Sequence, residues 1–358
     1  MKRFLQFALV FVLSAILAVP ALAAPVKLPT CWMAEAPGFL VWYAKKMGWD
    51  KAEGLDIEML LFDTGPAQME ALPSKTWRLG STGIGGQLVG GIRHKIYVVA
   101  PIVTEGYIHD SFLRPGHPAT QVKGWNPDFP NVYGSPETVK GMEILYTAQT
   151  TTHYMIGNYL SIFGLTPEDV KLINMDGSAI VPAFERGIGD LSFLWMPFTF
   201  AASAKGWPSA GNMADMGAPS VSAIVADAAW ADANPDQVAK FMRMYFRGVN
   251  MLNEEGVSDR IVAEYIEYMN EFGGIRMSAE DAKADLNARQ PRWTLEETLT
   301  LMDKSQGVST AEQWQFDVAD FFAEIGRFTP QEVKVYKDSN LNTDKFLKMI
   351  ELPIPSWK

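Results

Sequence analysis

Residues 142–163, MEILYTAQTTTHYMIGNYLSIF, decide how this chain is read. The apolar run 142–146 has the length of a short strand, and Tyr154, Ile156, Tyr159, Leu160 and Phe163 then recur at helical spacing. A strand that turns straight into a helix is one βα unit of a parallel sheet. The junction carries four Thr, a Gln and a His. One hydroxyl is enough to cap a helix, so the Thr run at 150–152 exceeds what capping requires. Ligands of open parallel sheets bind beyond the carboxyl ends of the strands. Helix starts at that edge offer unpaired N–H groups and a partial positive charge. The pattern predicts a ligand-facing helix start here, with plain capping as the competing account.

The same grammar extends in both directions. Upstream, 26–32, 55–60, 77–80 and 96–103 read as strands, and 39–47, 67–72 and 81–91 as helices. Thr64-Gly65-Pro66 and Ser81-Thr82-Gly83 put hydroxyls and glycine at two more helix starts. Downstream, 170–174 and 190–195 read as strands, and 152–163 and 179–186 as helices. From Asn234 onward the pattern is helical, with start signatures at 234–237, 278–281 and 294–297. The stretch 115–134, rich in proline, reads as an irregular surface loop. Alternation of this kind predicts an α/β protein with parallel-rich sheets flanked by helices and a helical C-terminal tail.

A length of 358 residues suggests about two domains. Residues 1–23 have a basic start at Lys2 and Arg3, an apolar run and Ala21-Leu22-Ala23, the pattern of a cleaved secretory signal peptide. The expected location is therefore the periplasm. Removing that segment takes away two basic residues and no acidic ones, which deepens the formal net charge from −10 to −12. So acidic a surface excludes nucleic acid as a natural partner. A single cysteine excludes an internal disulfide and a thiolate-rich metal site.

In order along the chain, AEAPGFLVWYAKKMGWDKAEGLDIEMLLFDTGPAQMEAL (34–72), GSTGIGGQLVGG (80–91), the segment 134–175 and AFERGIGDLSFLWMPFTFAASAKGW (183–207) resemble the nitrate/sulfonate/taurine-type periplasmic substrate-binding proteins of ABC transporters, a superfamily that includes thiamine-pyrimidine precursor binders. The resemblance implies a type II, two-lobed periplasmic-binding-protein fold with two hinge crossovers. Lobe one would hold 24–106 and 218–358, and lobe two 107–217. It also implies ligand contacts from Met33, Glu35, Thr64, Gly65, Ser81, Thr82, Gly83, Glu105, Thr151, Thr152, His153 and Trp195. The implied partners are a small-molecule ligand and an inner-membrane permease, with the chain acting as a monomer. The same architecture also suits a solute sensor for a membrane receptor.

Two features bear on the ligand. Many relatives carry an acid in the W-x-P-F segment, where this chain has Met196, and no Arg occupies the strand ends. An anion would rest there on amides, hydroxyls and His153. Glu35 and Glu105 suit an ammonium group if they line the cleft, and are otherwise solvated surface. The reading therefore spans sulfonate- or taurine-like anions and zwitterions, with amino acids, aromatic acids and thiamine-pyrimidine precursors as alternatives. The four His have no partner at catalytic or metal-ligand spacing, and His109-Asp110 reads as loop surface. The expectation is a non-enzymatic binder without metal or cofactor.

Overall fold

The computed structural model describes residues 24–358; the leader read at 1–23 lies outside the described residues. Among the described residues, ten strands form two five-stranded sheets. In chain order they are β1 (Val26–Trp32), β2 (Leu55–Leu61), β3 (Leu79–Thr82), β4 (Ile96–Thr104), β5 (His109–Leu113), β6 (Glu143–Tyr146), β7 (Lys171–Asn174), β8 (Leu191–Trp195), β9 (Ser209–Asn212) and β10 (Val221–Asp227). The first sheet runs β2-β1-β3-β10-β4 and the second β7-β6-β8-β5-β9. The chain passes from β4 to β5 through 105–108 and returns from β9 to β10 through 213–220, so two adjacent crossovers join the sheets.

Both sheets are mixed. β1 lies parallel to β2 and β3, and β6 parallel to β7 and β8, while β10 and β5 run antiparallel to their neighbours. The antiparallel strands β5, β9 and β10 escape the sequence pattern. β5 holds the His109-Asp110 pair that reads as loop surface; it is a strand, with His109 buried. Adjacent strand residues face opposite sides, so the two do not form a unit.

Three helix starts move toward the preceding strand, and the one expected at 81 moves away from it, because Ser81 and Thr82 belong to β3. The helices begin at Gly65, Ile84, Thr151 and Gly177, where the periodicity alone starts them at 67, 81, 152 and 179. In the 115–134 stretch, Pro118–Gln121 forms one turn of 3-10 helix, and Lys123 bridges Tyr133.

Buried side chains form three clusters. One face of the first sheet packs Leu28, Trp32 and Val99 against Ala36–Lys46 and Pro235–Glu255. Its other face joins the inner face of the second sheet and the tail, with Cys31, Leu88, Met155, Phe193, Phe322 and Tyr336 in one continuous core. Phe112, Leu145, Ile180, Phe184 and Leu194 fill the outer face of the second sheet.

The tail does more than cover the first sheet. Helix Thr310–Glu324 reaches helix Thr151–Ile162 of the second unit. Phe321 sits edge-on to Tyr154 at 5.3 Å, and Phe322 edge-on to His153 at 5.5 Å. The Phe321 ring occupies the place a Cβ on Gly157 would take. Gly157→Ala should therefore cost about 1–3 kcal/mol, because the ring must shift in a filled core. Urea unfolding reads this, and a midpoint equal to the parent's would contradict that packing.

Candidate functional site

Glu105 opens the first crossover and is 2% exposed. Its carboxylate accepts from Ser220 Oγ on the returning crossover, from Ser222 Oγ at 2.6 Å and from Thr151 Oγ1 at 3.0 Å. The backbone adds a second tie, Glu105 N–H to the Ser220 carbonyl at 3.0 Å. One side chain thus holds both crossovers and a helix start of the second unit. A carboxylate offers about four acceptor positions. Three hydroxyls take three of them and leave one.

The hydroxyl-rich helix starts resolve differently. Thr64 caps its own helix, with Oγ1 accepting from Ala67 N–H at 3.2 Å. Thr150 does not cap; its Oγ1 donates to the Thr147 carbonyl at 2.7 Å and contacts Thr152 Oγ1 at 2.8 Å. Gly83 has no side chain to cap with. The helices at Ile84 and Thr151 therefore begin without a side-chain cap, and their first-turn N–H groups lack intrahelical partners. Thr82 Oγ1 is buried without a hydrogen-bond partner, wedged between the Gly65 and Gly86 backbones.

These helix starts meet face to face. A Cβ on Gly85 would run into Gln149 O and Thr150 Cα, and one on Gly83 would lie 2.9 Å from both Glu105 Oε1 and Thr151 Oγ1. Between them lies a cavity lined by Met33, Glu35, Thr64, Gly65, Thr82, Gly83, Gly85, Gly86, Glu105, His109, Thr151 and Trp195, among others. The cavity volume is about 30 Å³, room for one or two water-sized particles. That is well below the roughly 300–1,000 Å³ usual for ligand sites, so even a solute of few heavy atoms needs the facing helix starts to part.

Nine of the twelve residues named from the sequence line this space: Met33, Glu35, Thr64, Gly65, Thr82, Gly83, Glu105, Thr151 and Trp195. Ser81, Thr152 and His153 are not among the lining residues. His153 instead packs against Tyr146 and Phe322, and its Nδ1 accepts from Gln149 N–H at 3.3 Å. Burial, with a smaller push from Arg327, holds its pKa down at about 3, so it is neutral. Trp195 ends β8, packs its ring over Gly177 and stands edge-on to Phe198 at 5.3 Å.

Two residues escaped the sequence reading. His109 lines the cavity, and its Nδ1 lies 3.2 Å from the Glu105 carbonyl. A carbonyl only accepts, so Nδ1 donates and Nε2 is left as an acceptor. Burial above all lowers the His109 pKa. Arg289 comes from the helical tail, 2% exposed. Its Nε donates to Asp285 at 2.6 Å, Asp285 accepts from Tyr265 Oη at 2.6 Å, and Nη1 stands 3.5 Å from Glu35. Glu35 is itself 8% exposed. Burial raises its pKa from 4.5 to about 7 against the opposing pull of Arg289, with the Glu105 charge adding to the rise. No strand-end motif signals Arg289, since it lies 254 residues beyond its partner Glu35.

Residues 131–255 match the NMT1/THI5-like family model. Over 296 residues the chain is 24% identical to a putative ABC transporter periplasmic binding protein of Brachyspira hyodysenteriae, covering 82% of this chain and 81% of that one. It is 26% identical to the taurine-binding periplasmic protein of Escherichia coli over 195 residues, 54% of this chain and 56% of the relative. Two similar solved structures are the alkanesulfonate-binding protein of Xanthomonas axonopodis pv. citri bound to MOPS (TM-score 0.65, 17% identity, 87% of this chain and 96% of that one) and the periplasmic nitrate-binding protein of Synechocystis PCC 6803 (TM-score 0.67, 14% identity, 93% and 92%). The fold is the two-sheet periplasmic-binding-protein architecture, α/β with helices flanking both sheets.

Glu35 makes stability depend on pH. Its folded pKa of about 7 stands above the ordinary 4.5, so its proton-linked contribution is full below about pH 4.5 and is lost as pH rises through 7. Glu35→Gln cannot ionise and should show a shallower fall in urea midpoint between pH 5 and 8; parallel curves would contradict the shift. Gly85→Ala should hold the facing helix starts apart. Small-angle scattering would then report a larger radius of gyration than the parent's, and identical profiles would argue against this close approach.

Proposed function

Because the chain is a homologue of ABC-transporter periplasmic binding proteins and carries an NMT1/THI5-like region, we propose that it is the exported, non-enzymatic solute-binding component of an importer, and that its ligand is a small zwitterion. In this reading the units 24–106 with 218–358, and 107–217, close on the ligand, and the closed form is what the inner-membrane permease recognises. The ligand's acid group, sulfonate or carboxylate, rests on the helix starts at Gly65, Ile84 and Thr151. Its ammonium group faces Glu105, Glu35 and His109.

The observation that carries this reading is that one cavity is lined by both kinds of group a zwitterion needs. It offers helix starts without side-chain caps and the unpartnered Thr82 hydroxyl. It also offers two carboxylates and an imidazole whose Nδ1 is already committed to a carbonyl. Acceptors without enough donors call for a ligand that brings N–H groups, and an ammonium has three. A bare nitrate or alkylsulfonate satisfies the helix starts but leaves the acceptors unmatched and adds negative charge beside Glu35 and Glu105. The taurine-binding relative supports an aminosulfonate as one member of the class.

Titration calorimetry with taurine, β-alanine, ethanesulfonate and nitrate tests the assignment. A hydrogen bond to a charged group contributes about 1.5–3 kcal/mol, so the aminated ligand should bind more tightly than its deaminated partner by about tenfold or more. Glu105→Gln should erase most of that preference. Ethanesulfonate binding as tightly as taurine, or no binding across the series, would contradict the proposed ligand class.

A further inference from the structure

Behind the Glu35 helix start lies a second cavity that shares no lining residue with the first. Its volume is about 30 Å³, enough for one or two small particles. Pro37, Leu40, Ile102 and Val249 supply apolar wall, and the polar lining is Tyr245, Arg289 and Arg292. No carboxylate lines it.

The two guanidiniums are incompletely matched. Arg289 pairs with Asp285 and, at 3.5 Å, with Glu35, but its Nη2 is buried without any hydrogen-bond partner. Arg292, 9% exposed, donates to the Leu286 carbonyl and to the Gln290 amide oxygen once that amide is turned toward it. Both acceptors are neutral. Among the described residues no carboxylate forms an ion pair with Arg292. Burial first, and the neighbouring Arg289 charge second, pull its pKa down to about 10. Tyr245 feels both guanidiniums. A buried cation without a counter-charge costs several kcal/mol in real proteins, and such charges normally find a partner.

We infer that this cavity binds one small inorganic anion of chloride size, held by Arg289, Arg292 and the Tyr245 hydroxyl. Such an ion would give Arg292 the negative partner that the chain withholds and Arg289 Nη2 an acceptor. It would do so within apolar walls that exclude larger or strongly hydrated anions. The site is structural: it lies on the far side of the Glu35 helix start, and its occupancy does not depend on which solute the first cavity takes.

Crystals grown or soaked in sodium bromide test it directly. The expected result is an anomalous peak in this cavity between Arg289 and Arg292. In solution, chloride should raise Tm saturably by about 2–4 °C over gluconate at equal ionic strength, where general screening is the same. Arg292→Met should abolish that difference. If that variant does not fold, the bromide peak and the wild-type titration decide alone. An absent anomalous signal, equal Tm in chloride and gluconate, or a halide effect that survives Arg292→Met would overturn the site.

Discussion

Three hydroxyls converging on the buried Glu105 carboxylate are the constraint on which the site depends. The two crossovers are the covalent links between the sheets through which the first cavity is assembled, and Glu105 ties each of them to the other. Its third donor, Thr151, belongs to the helix start that faces Gly83 and Gly85 across the cavity. A buried carboxylate persists when its lone pairs are met by donors, and here the donors come from two segments far apart in the chain, 220–222 and Thr151. Packing, connectivity and the ligand-facing surface are therefore fixed by one group. Any motion that separates the two units must first break the Thr151 bond, whereas the Ser220 and Ser222 bonds remain within the crossover pair.

Around that group lie charges of both signs. Helix starts at Gly65, Ile84 and Thr151 bring partial positive charge from both units. Glu35 and Glu105 bring full negative charge when ionised, and the Tyr265–Asp285–Arg289 chain from the tail reaches Glu35 from behind. Arg289 lines the second cavity and not the first. The tail thus adjusts the electrostatics of a wall that it does not itself form, while Phe321 and Phe322 of the same tail reach across to the second unit.

Much of this was legible in the residues. Period-2 and period-3.6 patterns located β1, β2, β4, β6 and β8, hydroxyl and glycine marked the helix start at Thr64, and the Thr run marked the one at Thr150, whereas Ser81 belongs to β3 and its helix begins at Ile84. The count of hydroxyls was informative: Thr64 caps, whereas Thr150 bonds Thr147 and Thr152 and leaves its helix start open. What escaped did so for physical reasons. β5, β9 and β10 are antiparallel returns whose partners lie far along the chain, so no local repeat announces them. His109 hid in a dipeptide that a loop would carry equally well. Arg289 reaches Glu35 across almost the whole sequence. His153 shows the opposite failure: it occupies the right segment, but its ring turns into the aromatic core between Tyr146 and Phe322.

The orientation of a bound zwitterion in the first cavity is the decisive measurement. In a crystal structure of the protein with taurine, the account predicts the ammonium nitrogen within hydrogen-bond reach of Glu105, about 2.7–3.2 Å, and the sulfonate on the first-turn amides of Ile84–Gly86. A sulfonate placed against Glu105, or a ligand bound outside the space between the facing helix starts, would contradict it.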